Sequence, residues 1–145
     1  MSDGFWLRVG AAWGFLAVAM GAFGAHGLKE RLDQIGRADN FHTAAQYHMY
    51  IALALVAVGL LRLTGRSGAA VRTAGWTFLV GSMIFSGTLY ALSLTGIRWL
   101  GAITPIGGVL IMIGWAALAV AAGPVAKPTS AALETTTSAS INEFR

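Results

Sequence analysis

The chain has 145 residues, 56% of them hydrophobic and 11% charged, with a formal net charge of +4 and no cysteine. Soluble domains carry about 25% charged residues, so the composition argues against a soluble fold, and the missing cysteine excludes disulfides and thiolate chemistry. The surplus Lys and Arg occur singly in loops, without a basic run interleaved with aromatics, which points to anionic lipid headgroups and away from nucleic acid.

Four stretches contain no Asp, Glu, Lys or Arg: Val9 to Leu28, Thr43 to Leu61, Thr73 to Ile97, and Trp99 to Ala126. Roughly 20 apolar residues rising about 1.5 Å each cross about 30 Å of hydrocarbon. The predicted fold class is therefore all-α, a polytopic bundle of four transmembrane helices, with spans at about 7–27, 44–61, 73–94 and 100–121. A soluble bundle would need a polar outer face on every helix, and Thr73 to Ile97 offers none. Residues 1–123 read as one transmembrane domain and 124–145 as a disordered Ser/Thr/Ala-rich tail.

In the first span, Arg8 precedes an apolar run ending in the small residues Gly21, Ala22, Gly24 and Ala25. That outline fits a signal peptide, but the run continues to Gly27, so a retained helix is expected. Gly10, Gly14, Ala17 and Gly21 recur at helical spacing and predict close approach of another helix. Gly24, Gly87, Gly107 and Gly108, with Pro105, are assigned to the same packing role. After this span, Leu28, Leu32 and Ile35 recur at i, i+4 and i+7, the spacing of an amphipathic turn lying on the membrane surface. The second connection, Arg62 to Arg72, is basic, and the third, Thr95 to Arg98, fits only a tight hairpin. Arg8, Arg62, Arg66, Arg72 and Lys127 share one side, against Lys29, Arg31, Arg37 and Arg98 on the other. This bias orients both termini to the cytoplasm. Tyr50 and Trp99 stand where headgroup-level aromatics would. A faint repeat aligns Trp13 to Leu16, Met20 and Gly24 with Trp76 to Leu79, Met83 and Gly87.

Apart from Arg8 at the edge of the first, no span holds a carboxylate, Lys or Arg, which disfavours a carrier coupled through such a group. The candidate polar cluster is His26, Tyr47, His48, Ser86, Tyr90 and Thr104. His26 closes the first span and His48 sits about one turn into the second, so a hairpin would set the two imidazoles at similar depth. Imidazole titrates near neutral pH and ligates metals or haem, so the pair could bind haem or handle protons. Two histidines without a third ligand make a weak signal, and the plainer reading is that each bonds to a helix end or neighbour. No metal or cofactor is assigned. Ser86 is expected to bond its own helix backbone or a neighbour. Pro105 supplies no N–H to the Gly101 carbonyl, which Thr104 or another helix would have to satisfy, or a ligand would.

In order along residues 5–120, Gly21 to Leu28, Thr43-Ala44 with Tyr47, Ala52 to Leu55, Phe85 to Tyr90, and Thr104 to Gly108 with Gly114-Trp115 resemble the YgdD family of small bacterial inner-membrane proteins. The resemblance implies four helices in a bacterial inner membrane and relatives among animal transmembrane proteins, but no activity. In that family a Gln takes the place of His48, and a His takes the place of Ile51, which unsettles any fixed ligand role for the second-helix imidazole. The expectation is a non-enzymatic module or accessory subunit in contact with membrane lipids, as a homo-oligomer or beside a membrane-protein partner. The alternatives are a small-molecule or lipid conduit through His26/His48 and Thr104–Pro105, and a haem or redox protein.

Overall fold

In the computed structural model, which describes residues 4–123, the chain is helical throughout its ordered elements. Helix α1 (Phe5–Ala22) runs into a π-helical turn, Phe23–Gly27, where the Leu28 N–H donates to the Phe23 carbonyl. A short α2 (Lys29–Gln34) leads to α3 (Ala38–Leu63), α4 (Ala69–Thr95) and α5 (Leu100–Ala121). By length and composition, four helices are able to cross a membrane: α1 with its π turn, α3, α4 and α5. This is the all-α, four-span architecture expected from the charge-free runs.

Helix α5 coincides with its expected span, whereas α1, α3 and α4 extend past theirs, because apolarity marks the hydrocarbon layer and a helix can continue into the headgroups. The largest difference is in α3, which starts at Ala38 rather than near Ala44. Asp39 lies in its first turn, where a carboxylate meets the positive end of the helix dipole. His48 is consequently about three turns, or about 15 Å, inside its helix rather than about one.

The closest helix pairings are α1 with α3, α3 with α4, and α4 with α5. In lipid there is no hydrophobic drive between helices, so close backbone approach and dispersion must hold such pairs. Glycine supplies the approach. A Cβ at Gly10 would stand 2.8 Å from the Val56 nitrogen, and one at Gly59 would stand 2.7 Å from the Leu7 nitrogen. Across α4 and α5, a Cβ at Gly81 would lie 3.0 Å from the Gly107 carbonyl, and one at Gly107 would lie 2.5 Å from the Phe85 nitrogen. Trp6 fills the space that a side chain on Gly75 would occupy and is completely buried, so α1 also closes onto α4.

The expected packing glycines therefore divide. Gly10 and Gly107 sit at backbone contacts, and Gly24 makes room for the Phe41 ring. Gly14 and Gly108 are in ordinary contact, whereas a Cβ at Gly21 or Gly87 would meet nothing within 4 Å among the described residues. Gly59, Gly75, Gly81 and Gly114 join the tight contacts.

The connection after α1 is more than a surface turn. Leu32 is buried with Phe41, Ala44 and Tyr90, and Leu28 packs against that cluster, while Ile35 is exposed. Arg37 then reaches the end of α4, where its guanidinium donates to the Leu92 carbonyl (3.3 Å). Gly96 closes the same helix end in the left-handed region (φ 80°), its N–H also donating to Leu92. On the opposite face, Arg66 donates to the carbonyls of Ala121 and Gly123 at the end of α5. A cation at a helix C-terminus is favoured by the dipole and by the unpaired carbonyls there. Replacing Arg37 or Arg66 by alanine is expected to cost about 1 kcal/mol each, read as a lower unfolding midpoint in mild detergent. A Lys29→Ala control, which breaks the exposed Lys29–Asp33 ion pair, should leave the midpoint almost unchanged.

The aligned tryptophans of the faint repeat have different surroundings. Trp13 donates to Ser82, whereas Trp76 is exposed beside Phe5 and Trp6. The expected tail lies outside the described residues.

Candidate polar site between the first, third and fourth helices

The structure gathers three of the six candidate residues. His48 on α3 and Ser86 and Tyr90 on α4 line one cavity of about 230 Å³, together with Trp13, Ser82, Met83 and Gly87. Position in the helices explains the grouping. Ser82, Ser86 and Tyr90 recur every four residues along one face of α4; α3 brings His48 against that face, and Trp13 approaches from α1. The His48 ring lies 4.9 Å, centroid to centroid, from Trp13 and 6.1 Å from Tyr90.

Two hydrogen bonds organise the cluster. The Trp13 indole N–H donates to the Ser82 hydroxyl at 2.9 Å, and the Tyr90 hydroxyl meets His48 Nδ1 at a long 3.5 Å. Two polar atoms of the cluster have no partner among the described residues: His48 Nε2 and Ser86 Oγ. Both residues are buried, with exposures of 6% and 2%. The expected bond of Ser86 to its own helix backbone or a neighbour is therefore absent among the described residues. Its neighbours on α4 do make that bond, Thr77 to Thr73, Thr88 to Ile84, Ser93 to Leu89 and Thr95 to Ala91. An unpaired buried polar group in a membrane-spanning segment is costly, which singles out Ser86 on this helix.

The other three candidates lie elsewhere. His26 is exposed on the π turn and shares no hydrogen bond or ring contact with His48. The paired-imidazole arrangement therefore has no geometric basis among the described residues. The sequence placed them together by assuming that helix ends coincide with the ends of the apolar runs; the longer α3 separates them. Tyr47 is exposed, its ring tilted against Phe85 (4.6 Å) and edge-on to Tyr50 (5.8 Å). Thr104 belongs to the α4–α5 contact, bonding Thr88 (2.8 Å) and the Leu100 carbonyl (3.3 Å) rather than that of Gly101. The six do not form a continuous path. Trp13 and Ser82 were missed, although both are polar-tipped residues inside charge-free spans, and a search for such residues would have raised them.

A second cavity, of about 320 Å³, lies at the membrane face between the π turn, α2 and the start of α3, among Gly24, Lys29, Asp33, Asp39 and His42. His42 is exposed there and hydrogen-bonded to Gln46.

Comparison with known proteins places the chain in a wider group. The family model described as "Protein of unknown function (DUF423)" matches residues 20–108. The UPF0382 membrane protein YwdK of Bacillus subtilis is 48% identical over 116 residues, covering 79% of this chain and 92% of that protein. A UPF0382 membrane protein of Staphylococcus epidermidis is 46% identical, covering 78% of this chain and 90% of its own length. One from Schizosaccharomyces pombe is 39% identical, covering 78% and 97%. No solved structure matches the chain.

Proposed function

The chain belongs to the DUF423 family, whose relatives are UPF0382 membrane proteins, and from that premise we propose that it acts as a non-enzymatic membrane module, a packing or accessory unit. The observation supporting this reading is the glycine-seated backbone contact in both outer pairings, Gly10 and Gly59 between α1 and α3, Gly81 and Gly107 between α4 and α5. Such contacts suit a compact scaffold better than two bodies that rock against each other. The exposed apolar side chains of α5, among them Ile106, Val109 and Met112, would meet lipid, a second copy or a membrane-protein partner.

Within that reading, the proposed setting is a bacterial inner membrane with both termini in the cytoplasm, as the Lys/Arg bias favours. The narrower likeness to the YgdD group is part of the same proposal. The test is release of the full chain from its membrane into mild detergent, followed by native mass spectrometry and by flux and turnover assays on the reconstituted protein. A homo-oligomer or a defined protein complex, without flux or turnover, is the expected result. Substrate flux or turnover by the isolated protein would overturn the proposal.

A further inference from the structure

We propose that the cavity lined by Trp13, His48, Ser82, Met83, Ser86, Gly87 and Tyr90 binds the carbonyl oxygen of a molecule dissolved in the bilayer, with Ser86 and His48 as its hydrogen-bond donors. The chemistry follows from which polar atoms are already engaged. Trp13 is committed to Ser82. Among the described residues the Tyr90 hydroxyl is partnered by His48 Nδ1; we take Tyr90 as the donor, which puts the imidazole proton on Nε2. That leaves an N–H on His48 and an O–H on Ser86, both without a partner among the described residues, on two side chains that line one cavity.

Two donors without an acceptor call for an oxygen with two lone pairs and no proton requirement of its own. A carbonyl meets that description, and a charged carboxylate would pay a large desolvation cost so far inside a helix bundle. The rest of the wall selects an apolar body, since the indole of Trp13, the thioether of Met83 and the edge of Gly87 complete it. Met83 and Gly87 are exposed on the outer face of α4, so the cavity opens sideways toward lipid. Both donor atoms are covered, so a ligand must displace part of the wall. Met83 is 55% exposed, and its unbranched side chain is suited to moving. A phospholipid ester and a membrane quinone both present such a carbonyl.

The test uses the full chain in nanodiscs of ester-linked phospholipid, of the ether-linked analogue, and of the ether lipid supplemented with decyl-benzoquinone. Bound mass is read by native mass spectrometry, and the bound carbonyl by isotope-edited infrared spectroscopy. The expected result is one retained carbonyl compound per chain with a lowered C=O stretch, in the ester or the quinone arm but not with ether lipid alone. The arm that retains it identifies the source. Ser86→Ala is expected to weaken retention about tenfold, the loss of one hydrogen bond, and His48→Leu at least as much. Without ligand, Ser86→Ala should unfold no more easily than the parent, because it removes a group that has no partner to lose. Equal retention of ether and ester lipid with no quinone bound, a cavity holding only water, retention indifferent to Ser86→Ala, or destabilisation of the empty Ser86→Ala protein would each overturn the proposal.

Discussion

Replacing Gly107 by valine is expected to separate α4 from α5 and to destabilise the protein by about 1–3 kcal/mol or more. The Cβ alone would stand 2.5 Å from the Phe85 nitrogen and 2.8 Å from the Gly81 carbonyl oxygen. Those are backbone atoms of the facing helix, so no rotamer change relieves the clash, and the whole helix must withdraw. Withdrawal also pulls Thr104 away from Thr88. The measurement is the unfolding midpoint in mixed detergent, with Gly87→Ala as the comparison. Nothing lies within 4 Å of a Cβ at Gly87, and alanine is the better helix former by roughly 1 kcal/mol, so that variant should be neutral or slightly more stable.

Phe78 and Gly114 should show strong coupling. Phe78 is completely buried, its ring lies 5.1 Å from Trp115, and it occupies the place where a Cβ on Gly114 would stand. Phe78→Ala removes that ring. In lipid the transfer part of the cost is largely absent, because the separated helix also rests in an apolar medium. What remains is the cavity part, on the order of 2 kcal/mol. Gly114→Ala alone forces a methyl to within 2.6 Å of the ring and is expected to cost about 1–3 kcal/mol. The double variant should cost clearly less than the sum, since the new methyl enters the space the ring has left. Additive costs in a double-mutant cycle would contradict this account of the α4–α5 contact.

The four spans were legible because a charge is so costly in hydrocarbon that its absence over twenty residues marks the layer. The polar site was half legible for the same reason. His48, Ser86 and Tyr90 stood out as polar residues in apolar runs, but their depth did not, because helix α3 starts six residues before the expected span. His26 was misplaced beside His48 by that error. The tight glycines were read only where they clustered, as at Gly10 and Gly107. Gly59, Gly75, Gly81 and Gly114 depend on what faces them across an interface, and no single helix carries that information. Arg37 and Arg66 looked like headgroup contacts because a loop arginine ordinarily is one. Their partners are backbone carbonyls fifty-five and more residues away in sequence.

Those two arginines bear on how the chain is made. Each is synthesised before the helix it will cap: Arg37 precedes α4 and binds its far end, and Arg66 precedes α5 and binds that one's. With consecutive helices crossing in opposite directions, the two clasps lie on opposite faces of the membrane. Neither can close until a later helix has been threaded through to the arginine's side. A nascent chain whose last two helices stalled or entered the wrong way round would leave both guanidiniums without their carbonyls, so the pair distinguishes a completed insertion from a failed one.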